Sequence, residues 1–222
     1  MKYSLRPAKI SDIKFLSKVI IEAEKSGTDK IGLANVFNLT ENELKEYLIQ
    51  MLDEEVEGCE LSYNSFVLAE LNDHPVAAFC GWIESENEDN QPSAILKSNL
   101  IGFVLPKEKL NEIKKSQYII KDIQIEREPH THQLEYAFVD ADHRGKGLTL
   151  KIIDELLKIA KNKNPNLKKS QVQVFAENKA AIKVYERAGY YEVERKKSNN
   201  PLIEEYLPGK VKLVLEKKLN KK

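Results

Sequence analysis

The sequence predicts a layered α/β (α+β) domain, and three observations carry the prediction. Segments rich in strand formers alternate with segments of helical apolar spacing, the connections between them are mixed, and no internal repeat recurs. With 222 residues, 41% of them apolar, the chain can bury a full core. Domain sizes of roughly 100 to 200 residues then favour a single domain over 1–222 carrying an insertion.

Residues 3–8 read as a short strand, after which Ser11-Asp12 can cap a helix carrying Ile13, Leu16, Ile20 and Ile21. Residues 27–39 read as a loop with an apolar centre at Ile31, Leu33 and Phe37. Thr40, with Glu43 three residues on, is a capping-box pattern that starts a helix bearing Leu44, Leu48, Met51 and Leu52 on one stripe. Residues 65–71 and 75–83 are strand-rich and separated by Asn72-Asp73-His74, the pattern of a hairpin. The acidic stretch 84–92 breaks the pattern, and 93–117 reads as helix in two pieces divided near Pro106; together 84–131 reads as the insertion. Alternation resumes over 133–140, and Leu150 to Ala160 follows as an amphipathic helix with Ile152, Ile153, Leu156, Leu157 and Ala160 inward. Strand 170–175, helix 179–187 stopped by Gly189, strand 190–195 and strand 211–215 complete about seven strands. The lysine-rich tail 217–222 reads as solvated.

Charge narrows the function. Thirty-five basic and 35 acidic side chains are mixed along the chain, leaving no net field to collect nucleic acid or an anionic membrane. Cys59 and Cys80 are the only cysteines and lack the spacing of a metal site or disulfide framework, so they read as buried thiols in a reducing compartment. No signal-peptide pattern opens the sequence and no run of about 18 apolar residues occurs, which predicts a soluble, cytoplasmic protein. His130-x-His132 lacks a third ligand and reads as exposed polar residues, so no metal is expected. Trp82 reads as core or pocket wall, and Glu204-Glu205-Tyr206 as a solvated charged connection.

The informative junction is Val139-Asp140-Ala141-Asp142-His143-Arg144-Gly145-Lys146-Gly147-Leu148-Thr149, between a predicted strand and a predicted helix. A helix start leaves backbone N–H groups unpaired at the positive end of the dipole, and glycines there let a pyrophosphate approach them. Arg144 and Lys146 add charge at the same place. Neither G-x-x-x-x-G-K-[ST] nor a G-x-G-x-x-G run after the first strand occurs, which excludes P-loop and dinucleotide readings.

The junction resembles the coenzyme A motif [RQ]-x-x-G-x-[GA] of the GNAT superfamily, the Gcn5-related N-acetyltransferases, through Arg144, Gly147 and Thr149, with Val139 upstream. Thr149 departs from the pattern, a β-branched residue in place of a small one. A second stretch, Asn178 to Tyr190, resembles that family's N-x-x-A-x-x-[LF]-Y-x-[KR]-x-G-[FY] signature at almost every fixed position, with Val184 substituted. The opening Leu5 to Asp12 also looks like the family's first strand and helix start. The resemblance implies a GNAT-like fold: a central mixed, mostly antiparallel sheet of about seven strands, with splayed central strands and helices on both faces. It also implies transfer of an acetyl group from acetyl coenzyme A to a primary amine of a small molecule or peptide, by direct attack in a ternary complex. A second copy of the chain is a candidate partner.

That chemistry needs a neutral amine, stabilisation of the oxyanion and a proton for the departing thiolate. The resemblance places Tyr185 as general acid and Asn178 against the pantetheine arm. It has Gly145, Lys146, Gly147, Leu148 and Thr149 around the phosphates with Arg144, and Phe138 and Val139 pairing with the cofactor's amides through their backbone. Glu135 is the candidate base, since strand alternation would place it on one face with Ala137 and Val139; an ordinary ion-paired glutamate is the equal alternative, and some relatives use a water. Gln173 stands where ribosomal-protein acetylating relatives carry their base, and cannot serve. The rival function is a catalytically inactive acyl-CoA-binding regulatory module.

Overall fold

The computed structural model describes residues 2–26, 28–206 and 209–216. Seven strands form one sheet in the order β1-β2-β3-β4-β5-β7-β6. They are β1 (Ser4–Pro7), β2 (Phe66–Leu71), β3 (His74–Ile83), β4 (His132–Val139), β5 (Ser170–Phe175), β6 (Tyr191–Lys196) and β7 (Lys210–Leu215). Every neighbouring pair is antiparallel except β4 with β5.

The helices are α1 (Ile13–Lys25), α2 (Gly32–Phe37), α3 (Glu41–Asp53), α4 (Ser93–Val104), α5 (Lys107–Glu112), α6 (Gln117–Asp122), α7 (Leu148–Lys163), α8 (Lys179–Ala188) and α9 (Ile203–Tyr206). The apolar stripes of α1 and α3 seal one face of the sheet, where Leu16, Ile20, Leu48 and Leu52 pack with Phe66 and Leu68. On the other face Ile152 and Leu156 of α7 pack with Phe79 and Leu213. Each such side chain contributes about 1.5–3 kcal/mol by leaving water. The predicted box at the start of α3 is formed in both directions: Glu43 N–H donates to Thr40 Oγ1 at 3.2 Å, and Thr40 N–H donates to Glu43 Oε2 at 2.7 Å.

The break predicted near Pro106 separates α4 from α5. One expectation is corrected: the stretch 27–39 holds α2, whose Ala34, Val36 and Phe37 are buried. Its six residues are too few to display a helical period, and burial against the core supplies what propensity does not. The tail 217–222, read as solvated, lies outside the described residues.

A second correction concerns β4. Tyr136 adopts a left-handed backbone, φ 56°, and the β3–β4 register slips between Ala78 and Cys80. This is a bulge, which adds one residue to β4 and re-aims the side chains beyond it. Glu135 lies opposite Cys80, whose side chain belongs to the α1 face, while Ala137 and Val139 pack toward the α7 face. Glu135 therefore does not share a face with Ala137 and Val139, as simple alternation predicted.

Candidate active site

The parallel pair at the centre of the sheet is short. β4 and β5 are in register only at His132–Ser170, Gln133–Gln171 and Leu134–Val172. Beyond those three pairs the strands part, as the splay predicts, and two cavities of about 590 and 800 Å³ open on either side of the gap. Ala23, Ser26, Ala137, Asn178, Ala181 and Tyr185 border both, so the cavities meet at the split.

The larger cavity is walled by the loop that enters α7. Gly147 caps α7 with φ 73° and no side chain over the first turn, and Gly145 has φ 74°. A Cβ built at either glycine meets nothing within 4 Å, so the surface over both is open. The first-turn N–H groups face outward without helical acceptors, an anion site by construction. Arg144, Gly145, Gly147, Leu148 and Thr149 line this cavity. The Lys146 amine instead donates to the Asp142 carbonyl at 2.7 Å, and Lys146 is not part of the wall. Phe138 and Val139 enter from β4.

The ladder fixes where the Val139 amide points. Asp140 N–H donates to the Val76 carbonyl at 2.9 Å, so the next pair along, Ala77 with Val139, is the non-hydrogen-bonded one. Val139 N–H and C=O consequently face the split, and Arg144 Nε reaches that carbonyl at 3.1 Å.

α8 carries the two other signature residues. Asn178 caps it by accepting from Ala181 N–H at 3.0 Å, while its amide donates to Ser26 Oγ at 2.6 Å at the left-handed end of α1. Tyr185 is buried, its ring 6.1 Å from that of Phe79 and 6.0 Å from that of Tyr190. Among the described residues its hydroxyl has no hydrogen-bond partner. Burial pushes the Tyr185 phenol well above its ordinary pKa, which keeps the proton on the oxygen.

The smaller cavity holds charges that sequence reasoning did not assemble. Glu135 does border it, yet Arg127 Nη2 holds its carboxylate at 2.6 Å and also reaches Glu60 at 3.1 Å. Lys97 donates to the same Glu60 oxygen at 3.0 Å. Burial works against the Glu60 carboxylate, but Arg127 and Lys97 outweigh it and hold its pKa at about 2. Glu84 receives Trp82 Nε1 at 3.0 Å and the N–H and hydroxyl of Ser93, and the Arg127 guanidinium lies 4.9 Å over the Trp82 ring. Trp82 is thus a buried core residue behind the cluster, one of the two roles read for it.

Glu24 of α1 is the remaining carboxylate of note. It accepts from Tyr136 hydroxyl at 3.3 Å and from Leu33 N–H at 3.2 Å, and burial raises its pKa. Lys210, at the start of β7, borders the same cavity. No local spacing links these residues: Glu24, Glu60, Lys97, Arg127 and Lys210 come from five separate segments. The nearest sequence signal for Glu24 is its helix-to-loop position beside the apolar 27–39 stretch.

Gln173 lines this cavity and donates to the Ile125 carbonyl at 2.9 Å. His130 is exposed, as expected, but His132 is not: it is buried against Gly81, pairs with Ser170 Oγ at 2.9 Å, and burial lowers its pKa to about 3. Cys59 and Cys80 are free, buried thiols. Among the described residues no helix is long and apolar enough to cross a membrane.

Residues 33–190 match the model of the acetyltransferase (GNAT) family. No curated protein sequence matches the chain. Among solved structures, an N-acetyltransferase from Staphylococcus aureus Mu50 is similar at TM-score 0.64 and 15% identity, over 96% of this chain and 100% of that one. An aminoglycoside acetyltransferase in complex with coenzyme A is similar at TM-score 0.52 and 16% identity, over 98% and 96% of the two chains. A ribosomal-protein-alanine N-acetyltransferase from Brucella melitensis is similar at TM-score 0.54 and 14% identity, over 96% and 99%. At these identities the likeness concerns the fold.

Proposed function

The chain belongs to the acetyltransferase (GNAT) family, and on that premise we propose that it is an acetyl-CoA-dependent N-acetyltransferase acting on a primary amine. One observation carries the reading: a cavity with an anion-binding helix start and a cavity of buried charges meet at the split, beside the Tyr185 hydroxyl.

Acetyl-CoA would supply the acyl group as a thioester from the larger cavity. Arg144 and the open helix start beyond Gly145 and Gly147 would hold its phosphates, with the Lys146 charge alongside and Leu148 and Thr149 offering first-turn N–H groups. Val139 would meet its amide arm along the free edge of β4, whereas Phe138, whose backbone groups turn to Ala78 of β3, would border the arm without bonding it through its backbone; Asn178 would border it from α8. Val139 N–H faces the split, where an oxyanion donor is needed.

The acceptor amine would enter from the smaller cavity. A nitrogen–carbon bond forms as the carbon–sulfur bond breaks; the amine's proton goes to a carboxylate of this cavity, and the thiolate takes a proton from Tyr185. Two carboxylates flank Tyr136 for the first transfer. Glu135 is already engaged by Arg127, whereas Glu24 is raised by burial and adjoins Ala23 and Ser26 of the shared wall. We therefore assign the greater share of proton acceptance to Glu24, with Glu135 positioned through Arg127.

Release of free coenzyme A thiol from acetyl-CoA in the presence of a panel of amines tests the reading, with acetylated product identified by mass. Turnover with at least one amine is expected. Tight acetyl-CoA binding without thiol release would replace it by the acyl-CoA-binding module. Glu24→Gln is expected to lose more kcat than Glu135→Gln; the reverse order would return the base to Glu135.

A further inference from the structure

Of the three cations that border the acceptor cavity, two are matched and one is not. Arg127 is held by Glu60 and Glu135, and Lys97 by Glu60. Two cations thereby face two carboxylates, and Glu84 is satisfied by Trp82 and Ser93. Glu24 keeps two neutral donors, from Tyr136 and Leu33. Lys210 has no hydrogen bond or ion pair to its amine among the described residues, although it is half-buried in the wall. A buried cation without a partner is costly, and proteins retain one where a ligand supplies the partner.

Position adds the second half of the argument. Lys210 stands opposite Phe175 at the end of β5, on the far bank of the split from α1 and β4. Glu24 and Lys210 nonetheless border the same cavity, and each feels the other's charge. Burial works against the Lys210 ammonium and lowers its pKa, and the Lys97 and Arg127 cations push the same way against Glu135 and Glu24. The cavity thus offers one carboxylate for an amine and, across it, one cation lacking an anion.

We infer that the acceptor is a compact amine that also carries a carboxylate, as in an amino acid, with its amine toward Glu24 and its carboxylate on Lys210. A polycation such as a polyamine would leave the Lys210 ammonium without an anion. This inference rests on the acetyl-transfer reading above and deepens it.

The test compares kcat/KM for glycine, L-alanine, L-lysine and L-glutamate with that for the α-carboxamide of each, adding O-phosphoethanolamine against ethanolamine, and spermidine. A charge-assisted bond lost on amidation should cost about tenfold or more. Lys210→Met should erase that preference by raising KM for the acid alone, with KM for acetyl-CoA unchanged; Lys210→Arg should retain it. Equal use of acid and carboxamide, a preference confined to the phosphate pair, or spermidine as best acceptor would overturn the carboxylate assignment while leaving acetyl transfer standing. Failure of every amine to release thiol from bound acetyl-CoA would instead remove the acetyl-transfer reading, and this one with it.

Discussion

Asn178 Nδ2 donates to Ser26 Oγ at 2.6 Å, tying the first residue before α8 to the residue that ends α1. The bond crosses the rim shared by both cavities, since each residue borders both. It also completes a cap, because the same side chain accepts from Ala181 N–H.

Asn178→Ala should therefore act twice. Loss of the cap costs about 1 kcal/mol, read as a fall in Tm of about 2–4 °C for a chain of this size. Freed from Ser26, the rim loosens, and KM for acetyl-CoA should rise severalfold. Asn178→Asp keeps the cap acceptor and loses the donor, so it should recover most of the Tm but little of the KM.

Tyr185→Phe removes only the hydroxyl, which has no partner among the described residues, so the fold should keep its stability. Without the acid, kcat should fall about 100-fold or more while the Kd for coenzyme A stays within about twofold. Because burial raises the phenol's pKa, the wild-type rate should show no alkaline loss from this group up to about pH 9. An unchanged kcat in the variant would strip Tyr185 of its role.

Breaking the buried cluster should be severe. Glu60 is 1% exposed, and Glu60→Gln leaves Arg127 and Lys97 short of an anion, a loss of about 3–5 kcal/mol in urea unfolding. The folded chain holds Glu60 at about 2 against an ordinary 4.5, so the unfolded chain takes up the proton first. The pair's stabilisation is complete above 4.5 and drains away as pH falls toward 2. Urea midpoints measured across that window should fall for the native sequence and be flatter for Glu60→Gln.

His132 adds a second acid dependence in a higher window. Its folded pKa is about 3 and its ordinary value 6.5, so between those values protons bind the unfolded chain preferentially. Stability should be intact above 6.5 and fall with decreasing pH, at up to about 1.4 kcal/mol per pH unit. His132→Gln should flatten this slope near pH 6; a slope unaltered in the variant would mean that another group carries it.

The parts of the site that read clearly from sequence are those encoded locally. Arg144 to Thr149 and Asn178 to Tyr190 are contiguous signatures, and the strand and helix around each are set by neighbouring residues: the glycines, the Asn cap and the apolar stripe of α7. The acceptor cavity is legible only in space. Glu60 meets Arg127 67 residues away, and Tyr136 meets Glu24 112 residues away, pairings that no spacing announces. The bulge at Tyr136 was hidden for a different reason. Alternation assumes one residue per step, and a tyrosine in a left-handed backbone carries no glycine to mark the slip.

The three register pairs that join β4 to β5 have a consequence for what the sheet will accept. An unpaired strand edge at the rim of a sheet recruits other chains and invites aggregation. Here the unpaired stretch of β4 lies in the middle of the sheet instead, between the helices packed on its two faces, so it is not presented as an outer border to which a second sheet could add.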